Sequence, residues 1–189
     1  MENNISKPLF ISFSAEVNQN TAENLMGIFA QRLNQGIKDF YLLLSSPGGS
    51  VMNGITIYNF LKSLPINLTT HNIGIVDSIA NVIFLAGKTR YAVKNSSFLF
   101  HGVGFDIDKA RFEEKNIKEK LKMIQRDQKL IADIIAEQSQ YTQEEIEKMF
   151  LEADTRTPEQ AKEKGLISDI REVNISEGAE VVQFIFQRK

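Results

Sequence analysis

Phe40–Leu44 is an unbroken apolar run (FYLLL) that passes straight into Ser45-Ser46-Pro47-Gly48-Gly49-Ser50. Apolar residues at helical spacing then follow through Val51, Ile55, Tyr58 and Leu61. A run of strand length with no polar side must be buried on both faces, as in a parallel sheet covered by helices. The same alternation recurs along the chain. Leu9–Phe13 (LFISF) reads as a strand. Asn20 with Glu23 resembles a capping box ahead of a helix carrying Leu25, Ile28, Phe29 and Leu33. Pro65 stops the second helix, and Ile66–Thr70 is the next strand, leading to Gly74 and a short helix from Ser78 to Gly87. Arg90–Val93 and Phe98–Phe100 are strands flanking the turn Lys94-Asn95-Ser96-Ser97. Strands alternating with helices predict an α/β fold with crossover connections.

The length of 189 residues fits one domain spanning the chain. Twenty-two basic and 24 acidic residues leave a net charge of −2 with no basic tract, which argues against nucleic acid as a partner. With no cysteine there can be no disulfide, thiolate metal site or cysteine nucleophile. No apolar stretch approaches the ~18 residues needed to cross a bilayer. The opening MENNISKPLFISF lacks the pattern of a secretory signal. A soluble, cytoplasmic protein is expected. Only two histidines, His71 and His101, are available for imidazole chemistry.

From Lys109 to about Ser139 the pattern becomes that of one long amphipathic helix, with Ile117, Leu121, Ile124, Ile131 and Ile135 at spacings of three, four or seven. Such a helix is about 45 Å long, more than a small domain's diameter. It either folds back along the domain or projects as an oligomerisation arm, and its length favours the arm. Beyond it lie a helix over Thr142–Leu151 with Thr142 and Glu145 as capping box, and a helix-turn-strand unit from Pro158 through Gly165 to Leu166–Ile167. A closing strand is read at Ala179–Phe186.

Three stretches could carry chemistry. The turn Pro47-Gly48-Gly49-Ser50 can expose backbone N–H groups at a helix N-terminus and let another group approach closely, as an oxyanion site requires. It could equally be a turn that needs glycine for its dihedrals alone. Ser78, after Gly74-Ile75-Val76-Asp77, would place a hydroxyl at a helix N-terminus, where it could be a nucleophile or merely a cap. His101 follows the strand Phe98–Phe100 at its mouth, where α/β folds place their sites, although a lone histidine is often structural. An acidic partner must come from the last third, where Asp154 and Asp169 are loop-like candidates.

In order and spacing, Pro47-Gly48-Gly49-Ser50-Val51, Gly74-x-x-x-Ser78, Phe100-His101 and Pro158-x-x-Ala161-x-x-x-Gly165-Leu166-Ile167 resemble the Clp protease proteolytic subunit family. The likeness runs from about Leu9 to Val173. It implies an α/β fold of stacked strand-strand-helix turns, in the ClpP/crotonase-like superfamily, with a long handle helix that coincides with residues 109–139. The handles of such proteins pack two heptameric rings around a chamber. By the same resemblance Ser78 is the nucleophile and His101 the general base, and the N–H groups of Gly49 and Ile79 form the oxyanion hole. Asp154 matches the family acid across a one-residue gap, with Asp169 as its rival. Val76 and Ile79 stand where the family usually has alanine and methionine, and the stretch between Ser78 and His101 is about two residues shorter.

The expected function is therefore a serine endopeptidase acting on peptides or unfolded proteins inside an oligomeric chamber, with neither cofactor nor metal. A separate ATPase would have to supply unfolding, since no Gly-x-x-x-x-Gly-Lys loop is present. By the same resemblance the axial N-terminal segment of the family is expected to be short or missing here. A catalytically inactive ring subunit and a crotonase-like acyl-CoA enzyme are the alternatives.

Overall fold

The structure is a computed structural model and describes residues 7–105, 111 and 113–183. The chain runs through β1 (Leu9–Ser14), α1 (Gln19–Asn34), β2 (Asp39–Ser46), α2 (Val51–Ser63), β3 (Asn67–Asp77), α3 (Ala80–Phe84), β4 (Thr89–Ala92) and β5 (Ser97–Phe100). It continues through α4 (Glu114–Gln138), α5 (Gln143–Glu152), β6 (Asp154–Arg156), α6 (Pro158–Glu163), β7 (Asp169–Ile170) and β8 (Val181–Gln183). The expected α/β alternation is what forms.

The sheet runs β6-β5-β3-β2-β1-β8, with β4 also on β3 and β7 beyond β4. All pairs are parallel except β5 with β6. The apolar run of β2 lies between β1 and β3, which explains why it has no polar side. Phe40, Leu42 and Leu44 are buried there, and Phe29 of α1 stacks on Phe40 at 4.8 Å. Burying each such side chain contributes about 1.5–3 kcal/mol.

β3 is longer than the sequence pattern suggests. Gly74 does not end it, because the strand continues to Asp77. The lack of a side chain lets Ser45 of the neighbouring strand sit close, since a methyl group at that position would lie 2.8 Å from Ser45 Oγ. The extra length gives β3 two successive neighbours. Thr69–Asn72 pair with β4, and Ile75–Asp77 pair with β5. One long strand thus carries the chain from one step of the stack to the next.

Other boundaries move for local reasons. The cap of α1 is Asn18, not Asn20. Its side chain accepts from the Thr21 N–H at 3.0 Å, and Thr21 Oγ1 accepts from the Asn18 N–H at 2.9 Å. Thr142 and Glu145 form the expected box on α5. The long helix starts at Glu114, so it is 25 residues rather than the range from 109; positions 109 and 110 lie outside the described residues. At 1.5 Å per residue that is about 37 Å. Its second half buries Ile131 and Ile135, whereas Ile117 and Leu121 in the first half are more than half exposed. The closing strand is Val181–Gln183, and the rest of the expected 179–186 strand after Gln183 lies outside the described residues. No helix among the described residues is long and apolar enough to cross a membrane.

Arg90 joins the parts. Its guanidinium donates to the carbonyls of Leu166 (2.7 Å), Gly87 (3.2 Å), Gln138 (2.9 Å) and Gly165 (3.0 Å). Those oxygens belong to the end of α4, the turn after α6 and the turn before β4.

Candidate active site

The site is built where three strands end. β2 runs out into Pro47-Gly48-Gly49, β3 into Ser78-Ile79, and β5 into His101. Ser78 does not open a helix as the sequence reading has it. It sits in the left-handed region at φ 56°, and α3 starts two residues later at Ala80. The cap of α3 is Ile79, with no side-chain cap bond, so the Ser78 hydroxyl is not spent on capping. A left-handed non-glycine residue costs roughly 1–2 kcal/mol and persists only where the surroundings impose it. Here the Ser78 N–H donates to the Leu99 carbonyl of β5 at 2.8 Å.

The glycine turn is pressed against this elbow. A methyl group on Gly48 would meet the Asp77 carbonyl oxygen at 2.7 Å, Ser78 Cβ at 2.8 Å and Ile79 N at 3.3 Å, and Gly48 has φ 85°. On its other side the turn is tied to Val17. The Val17 N–H donates to Gly48 O and the Ser50 N–H to Val17 O, both at 2.7 Å. In a parallel bridge of this kind the residue between, Gly49, points its own N–H away from Val17. Gly49 has φ 141°, and a methyl group there would lie 2.3 Å from Val17 O. Neither the Gly49 nor the Ile79 N–H meets a protein acceptor among the described residues. An oxyanion hole is built from backbone N–H groups left without an acceptor in this way.

Ile79 replaces the methionine usual in the family, and the fold makes room for it on α2. A methyl group on Gly54 would come 2.3 Å from Ile79 Cγ1. Val76 is fully buried.

His101 follows Phe100 and is exposed. Its Nδ1 lies 2.8 Å from the Gly102 carbonyl, which can only accept, so Nδ1 donates in that contact. Gly102 in turn donates to the Phe150 carbonyl of α5 at 2.9 Å. Asp154 is in a strand rather than a loop. It pairs across the antiparallel ladder with Phe100, the residue before the histidine. Its carboxylate is held by Arg156 at 2.5 Å. No hydrogen bond among the described residues joins His101 to Asp154 or Ser78.

Asp169 is placed elsewhere. It lies in β7, opposite Tyr91 of β4, and pairs with Lys162 at 2.7 Å and Arg171 at 3.1 Å. These two cations and the Ile170 N–H hold its carboxyl well down, to about 2. Tyr91 pairs with His71, which precedes Ser78 by seven positions on β3 and its turn, so Asp169 belongs to the far end of that strand. His71 is fully buried and bonds the Tyr41 hydroxyl and the Arg171 carbonyl, a structural role.

Two residues of the site were not singled out by motif. Asp77 precedes the serine, and burial pushes its carboxyl above the usual range while the Leu99 N–H and His101 draw it down. Asn81 is buried beneath the elbow. Neither belongs to a spacing pattern, and a polar residue beside an apolar helix is the one signal either gives.

Comparison with known proteins bears on this arrangement. A sequence model of the Clp protease family matches residues 2–174. A curated relative, the ATP-dependent Clp protease proteolytic subunit of Ligilactobacillus salivarius, is 32% identical over 170 residues, covering 87% of this chain and 83% of that protein. Among solved structures, a ClpP1 mutant from Listeria monocytogenes superposes with a TM-score of 0.75 at 23% identity. That match covers 87% of this chain and 91% of the other, and it shows the fold. With the family pattern spanning nearly its whole length and the strand-strand-helix stack in place, the chain belongs to the Clp protease family.

Proposed function

We propose that this single-domain protein is an active serine endopeptidase that cleaves peptides and unfolded chains within a self-assembled ring, using Ser78, His101 and Asp154. The observation that carries the reading is the strained Ser78 elbow with the Gly48-Gly49 turn packed against it. Backbone strain of this kind clusters at functional sites. Ser78 Oγ attacks the peptide carbonyl carbon as His101 Nε2 takes its proton. The carbonyl oxygen, now negative, is received by the Gly49 and Ile79 N–H groups. The C–N bond then breaks, the imidazolium returns the proton to the leaving amine, and an acyl ester remains on Ser78. Water, deprotonated by the same imidazole, hydrolyses that ester and restores the serine. Asp154 would orient the imidazole through Nδ1, which requires it to exchange Arg156 for His101 while His101 leaves the Gly102 carbonyl. The exposed first half of α4 would pack between subunits, and unfolding of substrates would fall to a separate ATPase.

The Asp154–Arg156 pairing favours a second reading, a ring subunit without activity. A fluorophosphonate separates the two, because only an aligned, activated serine reacts. Stoichiometric phosphonylation located at Ser78 by peptide mass spectrometry is expected, and an unmodified Ser78 would leave the inactive subunit.

The acid is tested by two substitutions. Asp154→Asn should lower kcat for a fluorogenic peptide by up to about 10⁴-fold through loss of the correct imidazole tautomer. Asp169→Asn should leave kcat within roughly twofold, as surface changes remote from the reacting atoms do. The reverse pattern would move the acid to β7.

A further inference from the structure

We propose that Asn81 is a positioning residue that holds the Ser78 elbow to the strand bearing His101. The inference rests on the peptidase reading above. Asn81 is 1% exposed, in the first turn of α3. Its Nδ2 donates to two carbonyl oxygens at once, that of Ser78 at 3.1 Å and that of Leu99 at 2.9 Å. The Leu99 oxygen is also the acceptor of the Ser78 N–H. One side-chain amide therefore closes a small ring in which Ser78 is tied to Leu99 through both its N–H and its carbonyl. Leu99 lies two residues before His101, so nucleophile and base are set at a fixed offset by one amide group.

The orientation of that amide has a single solution. Turning it over would set Oδ1 against two carbonyl oxygens. As it stands, Oδ1 is buried without a partner among the described residues. Buried polar atoms are nearly always paired, and an orphan in a native structure calls for a reason. Holding the left-handed Ser78 is that reason, because an apolar residue of the same size would fill the space without leaving an unpaired oxygen. The Ser78 peptide plane also carries the Ile79 N–H, so the clamp aims one oxyanion donor together with the nucleophile.

The test is Asn81→Leu, with Asn81→Ala as a second variant that introduces no bulk. Expected for either folded variant is a 10- to 100-fold slower fluorophosphonate reaction at Ser78 and an equal fall in kcat for a fluorogenic peptide. KM should stay within twofold, and mass-resolved hydrogen exchange should quicken in peptides covering 76–84 but not in those covering β1 and β2. Unchanged phosphonylation and unchanged exchange at 76–84, with only a lowered unfolding temperature, would overturn the proposal. A wild-type protein inert to the fluorophosphonate would defeat the peptidase reading instead. Exchange at 76–84 would then still decide the role of Asn81.

Discussion

Ser78→Ala should abolish peptide cleavage, lowering kcat by about 10⁴-fold or more while leaving KM nearly unchanged. Loss of this size follows from the proposed mechanism, in which Ser78 Oγ forms the acyl ester. What survives should come from the Gly49 and Ile79 N–H groups and from substrate binding. Stability should barely move, by less than about 0.5 kcal/mol, since the backbone strain at φ 56° is shared by serine and alanine. Ser78→Gly gives a sharper signature. It should be equally inactive yet more stable by about 1 kcal/mol, because glycine occupies the left-handed region without a Cβ penalty. Steady-state assays on a fluorogenic peptide, with denaturant unfolding alongside, check both arms. Wild-type turnover by Ser78→Ala would remove Ser78 from the mechanism.

Arg90→Leu is expected to be the most damaging change away from the chemistry, lowering stability by roughly 3–5 kcal/mol. Four carbonyl oxygens from three segments lose their common donor. One belongs to Gln138, the last residue of α4, where the helix leaves unpaired acceptors and a partial negative charge. Burial draws the guanidinium below its ordinary pKa, but not far enough to deprotonate it at neutral pH. Arg90→Lys should recover only part of the loss, because an ammonium cannot reproduce the planar fork of donors. The midpoint of urea unfolding is the measurement. A midpoint unchanged in Arg90→Leu would show that these contacts are dispensable.

The sequence made the order of strands and helices readable because burial on both faces leaves uniformly apolar runs such as Phe40–Leu44, and those runs became strands. Ser78 and His101 could be singled out since each follows a strand and stands near glycine. The conformation at Ser78 could not be, since nothing local distinguishes a left-handed serine from a capping one; the difference comes from the Leu99 carbonyl and the Asn81 amide. Gly74 misled for the same reason, reading as a break when its lack of a side chain serves the neighbouring Ser45. Arg90 gave no signal because its acceptors lie as many as 76 positions away in the chain. Asp154 was placed by family likeness across a gap, and its ladder pairing with Phe100 depends on a contact between segments more than fifty residues apart.

That ladder has a mechanical consequence. Histidine and aspartate ride on one short two-strand ribbon, Ser97–Phe100 with Asp154–Arg156, whereas the serine belongs to the long strand beside it. Three residue pairs, from Ile75↔Ser97 to Asp77↔Leu99, couple ribbon to strand, together with the bonds of the Ser78 N–H and the Asn81 amide to the Leu99 carbonyl and of the Asn72 amide to the Ser97 carbonyl. On the proposed mechanism, a slip of the ribbon that broke these bonds would carry His101 and Asp154 together away from Ser78. Packing applied to α5, whose Phe150 carbonyl accepts from the Gly102 N–H at the ribbon's end, would on that mechanism act as a clutch on hydrolysis.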